Sequence, residues 1–233
     1  MAKEVKLEDL FRWNKSVDIK DRKGNVLKTV YVRVAGDANL QEAQNHALAR
    51  SRQIRRKLRD EESLEYKALF ADLESRSQSD LIVGIIASEG SKFRDEANEE
   101  LGEIDLPDLP DDPTLEEREK FQEDVEKLTN NRTEQLQKLI EEKMQTRRED
   151  LNKKDVQQLQ DIYKVARIES SCFEVYGFEF RSYCVYLNVF SDKKMAVREF
   201  SNYDAFSNTS SLIKRILLES YADLELSEED LKN

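Results

Sequence analysis

The sequence predicts a mainly α-helical protein with a small N-terminal β-hairpin, an α+β arrangement built around a long charged helix or helical hairpin. Three observations predict it. Six glycines and three prolines in 233 residues leave little material for the many tight turns of a sheet-rich fold. Apolar residues alternate with polar ones on both sides of a single Gly-Asn turn near the N-terminus. From Thr114 to Asp150 the chain is almost continuously charged, with a thin apolar stripe at helical spacing.

The hairpin spans 16–34. Val17 and Ile19 alternate before Gly24-Asn25, and Val30, Val32 and Val34 alternate after it. A lone hairpin is marginal in water, so its inner face needs a cover. Leu7, Leu10, Phe11 and Trp13 are expected to supply it. Gly36-Asp37-Ala38-Asn39 then provides a turn and cap for a helix from Leu40 to Arg59. Leu40, Ala43, Ala47, Ile54 and Leu58 form its apolar stripe, and Arg52, Arg55, Arg56 and Arg59 gather on the other side. That basic back can pair with Asp60, Glu61, Glu62 and Glu65, stay solvated, or dock an acidic partner.

Further helices are expected from Ser63 to Ser75 and from Ser79 to Asn98, the second centred on Leu81, Ile82, Ile85 and Ile86. Residues 1–100 thus read as an α+β domain. The stretch 101–113 holds all three prolines among closely spaced acids and reads as an extended acidic linker, or as a docking peptide anchored by Ile104, Leu106 and Leu109. Residues 114–233 read as a helical domain. Thr114 and Glu117 form a capping box that opens the long charged helix, with Asn130-Asn131 as a candidate bend.

A second helix begins near Lys153. Its stripe leads into Phe173, Tyr176, Phe180, Tyr183, Leu187 and Phe190, whose steps of three and four suit a seam facing another helix. Residues 173–206 hold 10 of the 18 Phe and Tyr residues, so this region is either the core of the C-terminal domain or a partner surface. Gly177 and the β-rich run from Phe178 to Tyr186 leave a hairpin open for 172–190. Met195 to Phe200 read as a short strand or turn. A helix then opens at Ser210 or Ser211 with Leu212, Ile213, Ile216, Leu217 and Tyr221 on its buried face, and Ser227 to Asp230 cap a last short helical turn.

Charge and composition narrow the functional classes. The net charge is −11, yet residues 1–60 carry 15 Lys and Arg against 8 Asp and Glu, leaving 23 against 41 for the rest. Such asymmetry marks halves that attract matching partners, while the acidic remainder repels phosphate and disfavours nucleic acid. No apolar run approaches the length needed to cross a bilayer, and the N-terminus lacks a secretory pattern, which predicts a cytoplasmic protein without membrane contact. Cys172 and Cys184 lack metal or redox spacing, His46 is the single histidine, and neither phosphate-loop nor dinucleotide-binding glycine patterns occur. Asp and Glu are plentiful but fall on helix faces that any soluble helix makes polar. No catalytic residue, metal ligand or cofactor is therefore predicted.

The residues from Gly24 to Arg33, the run Gly36-Asp-Ala-Asn-Leu-Gln-Glu-Ala43, the basic helix ending Arg55-Arg-Lys-Leu-Arg-Asp60 and the stretch from Leu217 to Leu224 before Leu231-Lys-Asn233 resemble small proteins of tailed bacteriophages, most of all tail assembly chaperones. The likeness covers about the first 100 residues and the last 30. It implies a non-catalytic protein that keeps the helical tape measure protein soluble and recruits tail tube subunits, with homo-oligomers admitted. Arg52, Arg55, Arg56, Arg59, Phe173, Tyr176, Phe180 and Tyr183 are the candidate partner contacts. A virion structural component of the tail or neck and a nucleic-acid-binding regulator are the alternatives.

Overall fold

The computed structural model describes residues 14–21, 23–104, 106, 107 and 114–232, with side chains up to 224. The segment expected to cover the hairpin, Leu7 to Trp13, lies outside the described residues, as does Leu109. The architecture is mainly helical with one small antiparallel sheet, as the composition predicts. No described helix is long and apolar enough to cross a membrane.

The described residues form two compact units, one from 1–56 with 172–233 and one from 57–171. This division differs from a boundary at 101–113, which falls inside the second unit. The reason is long-range strand pairing, since a strand from the far side of the sequence completes the N-terminal sheet.

In the first unit, β1 (Asn14–Lys20) and β2 (Val26–Arg33) form the expected hairpin, with Val17 opposite Val30 and a bulge between Ile19 and Lys20. The turn is held from within. The Asp21 carboxylate accepts from the Lys23 and Asn25 backbone N–H groups at 2.7 and 2.9 Å and from Asn25 Nδ2 at 2.9 Å. Gly24 takes the positive φ of 87° that such a tight turn requires. Val17, Val30 and Val32 are buried as the alternation predicts.

The third strand, β3 (Val189–Phe190), pairs antiparallel with β2, Tyr31 opposite Phe190 and Val32 opposite Val189. Helix α1 (Asp37–Arg59) starts three residues before the expected Leu40 because the Gly36 carbonyl accepts from the Asn39 and Leu40 amides. Ala43 and Ala47 on its stripe are buried, and Leu40 is half-buried. The core is completed by the end of α6 (Val156–Asn188), by Phe206 of the short α7 (Tyr203–Ser207) and by Leu217, Tyr221 and Leu224 of α8 (Ser211–Lys232). Helix α8 packs on β1 and β2 and thereby covers the hairpin. The Tyr221 hydroxyl also accepts from the Ala35 N–H at 3.3 Å.

Two local expectations are corrected in this unit. Residues 172–188 are helical throughout, so the hairpin alternative falls, and Phe190 lies on a strand instead of the helical seam. A Gly177 in the helix is tolerated at a propensity cost of about 1 kcal/mol, less than breaking several backbone hydrogen bonds would require. The capping pattern at Ser227 opens no separate turn, since α8 runs through it.

In the second unit, the expected helix from Ser63 to Ser75 is split into α2 (Leu64–Leu69), capped by Ser63, and a 3-10 turn (Leu73–Ser75), as Phe70 and Leu73 turn into the core. The helix expected from Ser79 to Asn98 breaks into α3 (Gln78–Ser88), opened by a Ser77/Asp80 capping box, and α4 (Gly90–Leu101). Glu89 caps the first, and its carboxylate is held by a two-pronged bond from Arg147 at 2.7 and 2.8 Å. The capping box at Thr114 and Glu117 forms and opens α5 (Leu115–Leu151). This helix passes through Asn130-Asn131 without a break, so the long-helix alternative holds over a helical hairpin. Leu81, Ile82, Ile85 and Ile86 of α3 sit in the core with Phe93, Leu151, Leu159 and Tyr163.

Candidate functional site

The densest set of chemically versatile side chains in the first unit surrounds His46, which α1 presents to α6 and α7. The first part of α1 and the last part of α6 run antiparallel in this unit, so Asn39 meets Asn188, Glu42 meets Tyr183, His46 meets Glu179 and Ser51 meets the Cys172 carbonyl. Helical repeats on both helices bring the four-residue steps Glu42, His46, Arg50 opposite the four-residue step Glu179, Tyr183.

Glu179 is the hub. His46 Nε2 lies 3.1 Å from its Oε2, the Tyr203 hydroxyl donates to the same oxygen at 2.8 Å, and Arg50 Nε stands 3.7 Å from Oε1. Tyr183 stacks on the His46 ring with centroids 4.2 Å apart, while Tyr203 meets that ring edge-on at 4.7 Å. Tyr183 in turn donates to Glu42 at 3.1 Å. Burial first, then the bond to Glu42, pushes the Tyr183 phenol up to about 12. The same two causes, with Glu179 as the acceptor, raise Tyr203. Hydrogen bonds through Glu179 and Glu42 and ring contacts among His46, Tyr183 and Tyr203 thus tie α1, α6 and α7 together.

Asn188 closes the network at the end of α6. Fully buried, it accepts from Asn39 Nδ2 at 2.9 Å and Arg33 Nε at 3.3 Å and donates to the Cys184 carbonyl at 2.8 Å. Arg33 also lies over the Phe190 ring, 4.8 Å from its centroid. A surface depression of about 440 Å³ beside this junction is lined by Arg33, Val34, Gly36, Asp37, Ala38 and Asn39.

The eight sequence-predicted contact residues do not form one patch. Arg52 and Arg56 are exposed on α1. Arg55 is half-buried and engaged, and Arg59, in the second unit, sits 3.6 Å from Glu169. Phe173 is 59% exposed. Tyr176 and Phe180 stack in parallel with centroids 6.1 Å apart, and Phe180 packs against the core. Tyr183 belongs to the His46 network. Most aromatic residues from 173 to 206 thus lie in the core or against it, while Phe173 and Phe178 face out.

Glu42, Glu179, Asn188 and Tyr203 escape sequence reasoning, because a Glu or Asn on a helix reads as an ordinary solvated residue until a partner over a hundred positions away is known. The single His46 is the one available signal.

In the second unit, α4 and α5 enclose a groove of about 450 Å³. Its charges compensate one another through Glu89 with Arg147 and Glu100 with Lys143, the latter pair 2.9 Å apart. Among the described residues, no group of three or more His, Cys, Asp or Glu side chains has a geometry to hold a metal ion. Comparisons with protein-family models, curated proteins and solved structures find no match to this chain.

Proposed function

We propose that the chain is a non-catalytic, tail assembly chaperone-like protein of a tailed bacteriophage, working in the host cytoplasm and binding tape measure and tail tube proteins. The observation that supports this reading is the outward face of α1. Leu48, Arg52 and Arg56 follow one another at four-residue steps and all are exposed, Leu48 at 42%. That spacing aligns one apolar side chain with two cations on a single helix face. Such a face suits an amphipathic client helix that carries acids beside its apolar stripe. Phe173 offers a further exposed apolar contact in the same unit.

A long tape measure helix has an apolar stripe that must stay covered until tube subunits polymerise around it. Reversible docking on a mixed apolar and cationic face covers it without locking it. The tying of His46 into the Glu179 and tyrosine network agrees with a structural use of the chain's single imidazole.

The test is co-expression of the chain with tape measure and tail tube proteins of a tailed bacteriophage, followed by capture of the complex. Replacing Arg52→Glu and Arg56→Glu together is expected to lower capture by roughly tenfold, since rim charges tune association and each close pair is worth up to about 1 kcal/mol. Undiminished capture, or the chain recovered as a stoichiometric part of purified virions, would overturn the proposal. The second result would assign it to the tail or neck structure.

A further inference from the structure

Strand β1 is the outer strand of the sheet, with β2 on one side and, among the described residues, no strand on the other. Main-chain bonds fix which of its residues face outward. The Glu199 N–H donates to the Val189 carbonyl at 2.9 Å and the Ser191 N–H to the Val197 carbonyl at 3.0 Å, so β3 turns Val189 away from β2 and Phe190 towards Tyr31. Main-chain groups alternate between the two edges of a strand. With Tyr31 facing β3, Val30 and Val32 face β1, and their partners Val17 and Lys15 face back. The N–H and C=O groups of Asn14, Ser16 and Asp18 therefore point away from the sheet, and among the described residues no main-chain bond reaches them. The bulge leaves this alternation alone, because its extra residue, Leu27, lies on β2 beyond Thr29, the partner of Asp18.

Edge strands are ordinarily guarded by proline, a bulge or unpaired charge. From Asn14 to Asp18, β1 has neither proline nor bulge, and its two charges are spent within the chain. Lys15 Nζ pairs with Asp223 at 2.8 Å, and Asp18 accepts from the Thr29 hydroxyl at 2.7 Å. Asn14, Ser16 and Asp18 are all exposed. This edge complements itself. When two copies of β1 run antiparallel with Ser16 facing Ser16 on a two-fold axis, Asn14 of each stands opposite the second copy's Asp18, an amide donor against a carboxylate. No like charges then stand directly opposite, whereas a slip that centres the axis on Asp18 sets that carboxylate against its own copy.

We propose that the chain forms a dimer in which two β1 strands pair along this edge and join the two sheets into one. Main-chain hydrogen bonds from Asn14, Ser16 and Asp18 supply the affinity, and the Asn14 and Asp18 pairs fix the register. The net charge of −11 opposes the approach of two copies, but it resides in the second unit. Residues 57–171 carry 18 Lys and Arg against 31 Asp and Glu, while the unit that holds β1 carries 20 against 18. Salt screens the remaining repulsion. This edge is separate from the α1 face, and its test leaves Arg52 and Arg56 untouched.

Sedimentation of the full chain at rising concentration is expected to show a monomer–dimer equilibrium that tightens as salt is added. Hydrogen exchange then locates the contact. The Ser16 and Asp18 amides are expected to slow about tenfold as the dimer fills, while those of Lys15 and Val17, bonded to β2, stay protected throughout. Ser16→Pro removes the outward N–H and spares the bonds to β2, so it is expected to weaken the dimer about tenfold with the Val17 and Val30 amides still protected. Ser16→Lys keeps the N–H but sets two cations against each other on the axis, and a loss of the same size is expected without any change of backbone. A monomer at every concentration would overturn the proposal and leave the edge to another protein's strand. So would a dimer whose Ser16 and Asp18 amides exchange freely, or one that both variants leave intact. Protection of those amides in the monomer would also overturn it, by assigning the edge to the residues that precede Asn14.

Discussion

Tyr183 shows how a residue's surroundings redirect its chemistry. Its spacing with Tyr176 and Phe180 suits a seam for a partner helix, yet its ring lies on His46 and its hydroxyl on Glu42. Because the folded state holds the phenol at about 12 against an ordinary value of 10.0, the unfolded chain releases that proton first as pH rises. The stabilisation is complete below the unfolded value and is lost between 10.0 and about 12. Unfolding midpoints in denaturant should therefore fall across that window. Tyr183→Phe should flatten the fall, and an unchanged slope in that variant would remove Tyr183 as its source. His46 and Glu179 teach a related lesson. The histidine stands out in the sequence because it is single, but the carboxylate that holds it is one of many on polar helix faces.

At the level of elements, caps and periodicity were legible and interruptions were not. The box at Thr114/Glu117 forms where the sequence places it, because both partners lie within one turn, whereas the Ser77/Asp80 box opens its helix just before the expected Ser79. The break at Glu89 was hidden, since its carboxylate is fixed by Arg147 from another helix. Close approach between helices was hidden too. A Cβ added at Gly84 of α3 would stand 2.5 Å from Cε2 of the buried Tyr163 ring on α6. Gly84→Ala gains about 1 kcal/mol in helix propensity but must displace a packed ring, which costs about 1–3 kcal/mol. A net loss of about 1 kcal/mol is expected, read as a lower midpoint in urea. A midpoint that rises would show that the ring shifts freely.

For the molecule as a whole, charge is the property that sequence states outright. The excess of acids gives a sequence isoelectric point near 4.9. Self-repulsion keeps like-charged copies apart at neutral pH and vanishes near that value. Light scattering should accordingly rise as pH is lowered towards 4.9 and fall again below it. Scattering that peaks elsewhere would mean that apolar contacts, not charge balance, govern association.

The division into compact units was beyond the reach of any local pattern. Helical repeats, alternation in the hairpin and the Thr114 cap are interactions among neighbours, so the sequence by itself determined the β1–β2 hairpin, the long charged helix and the apolar stripe of α1. Which strand joins β2, which helix covers the hairpin and where the tyrosines point depend on contacts between residues over a hundred positions apart. Such contacts form only when burial offsets the entropy of closing long loops. The tertiary structure alone decided that Val189 and Phe190 complete an N-terminal sheet and that most of the aromatic residues from 173 to 206 lie in or against the core.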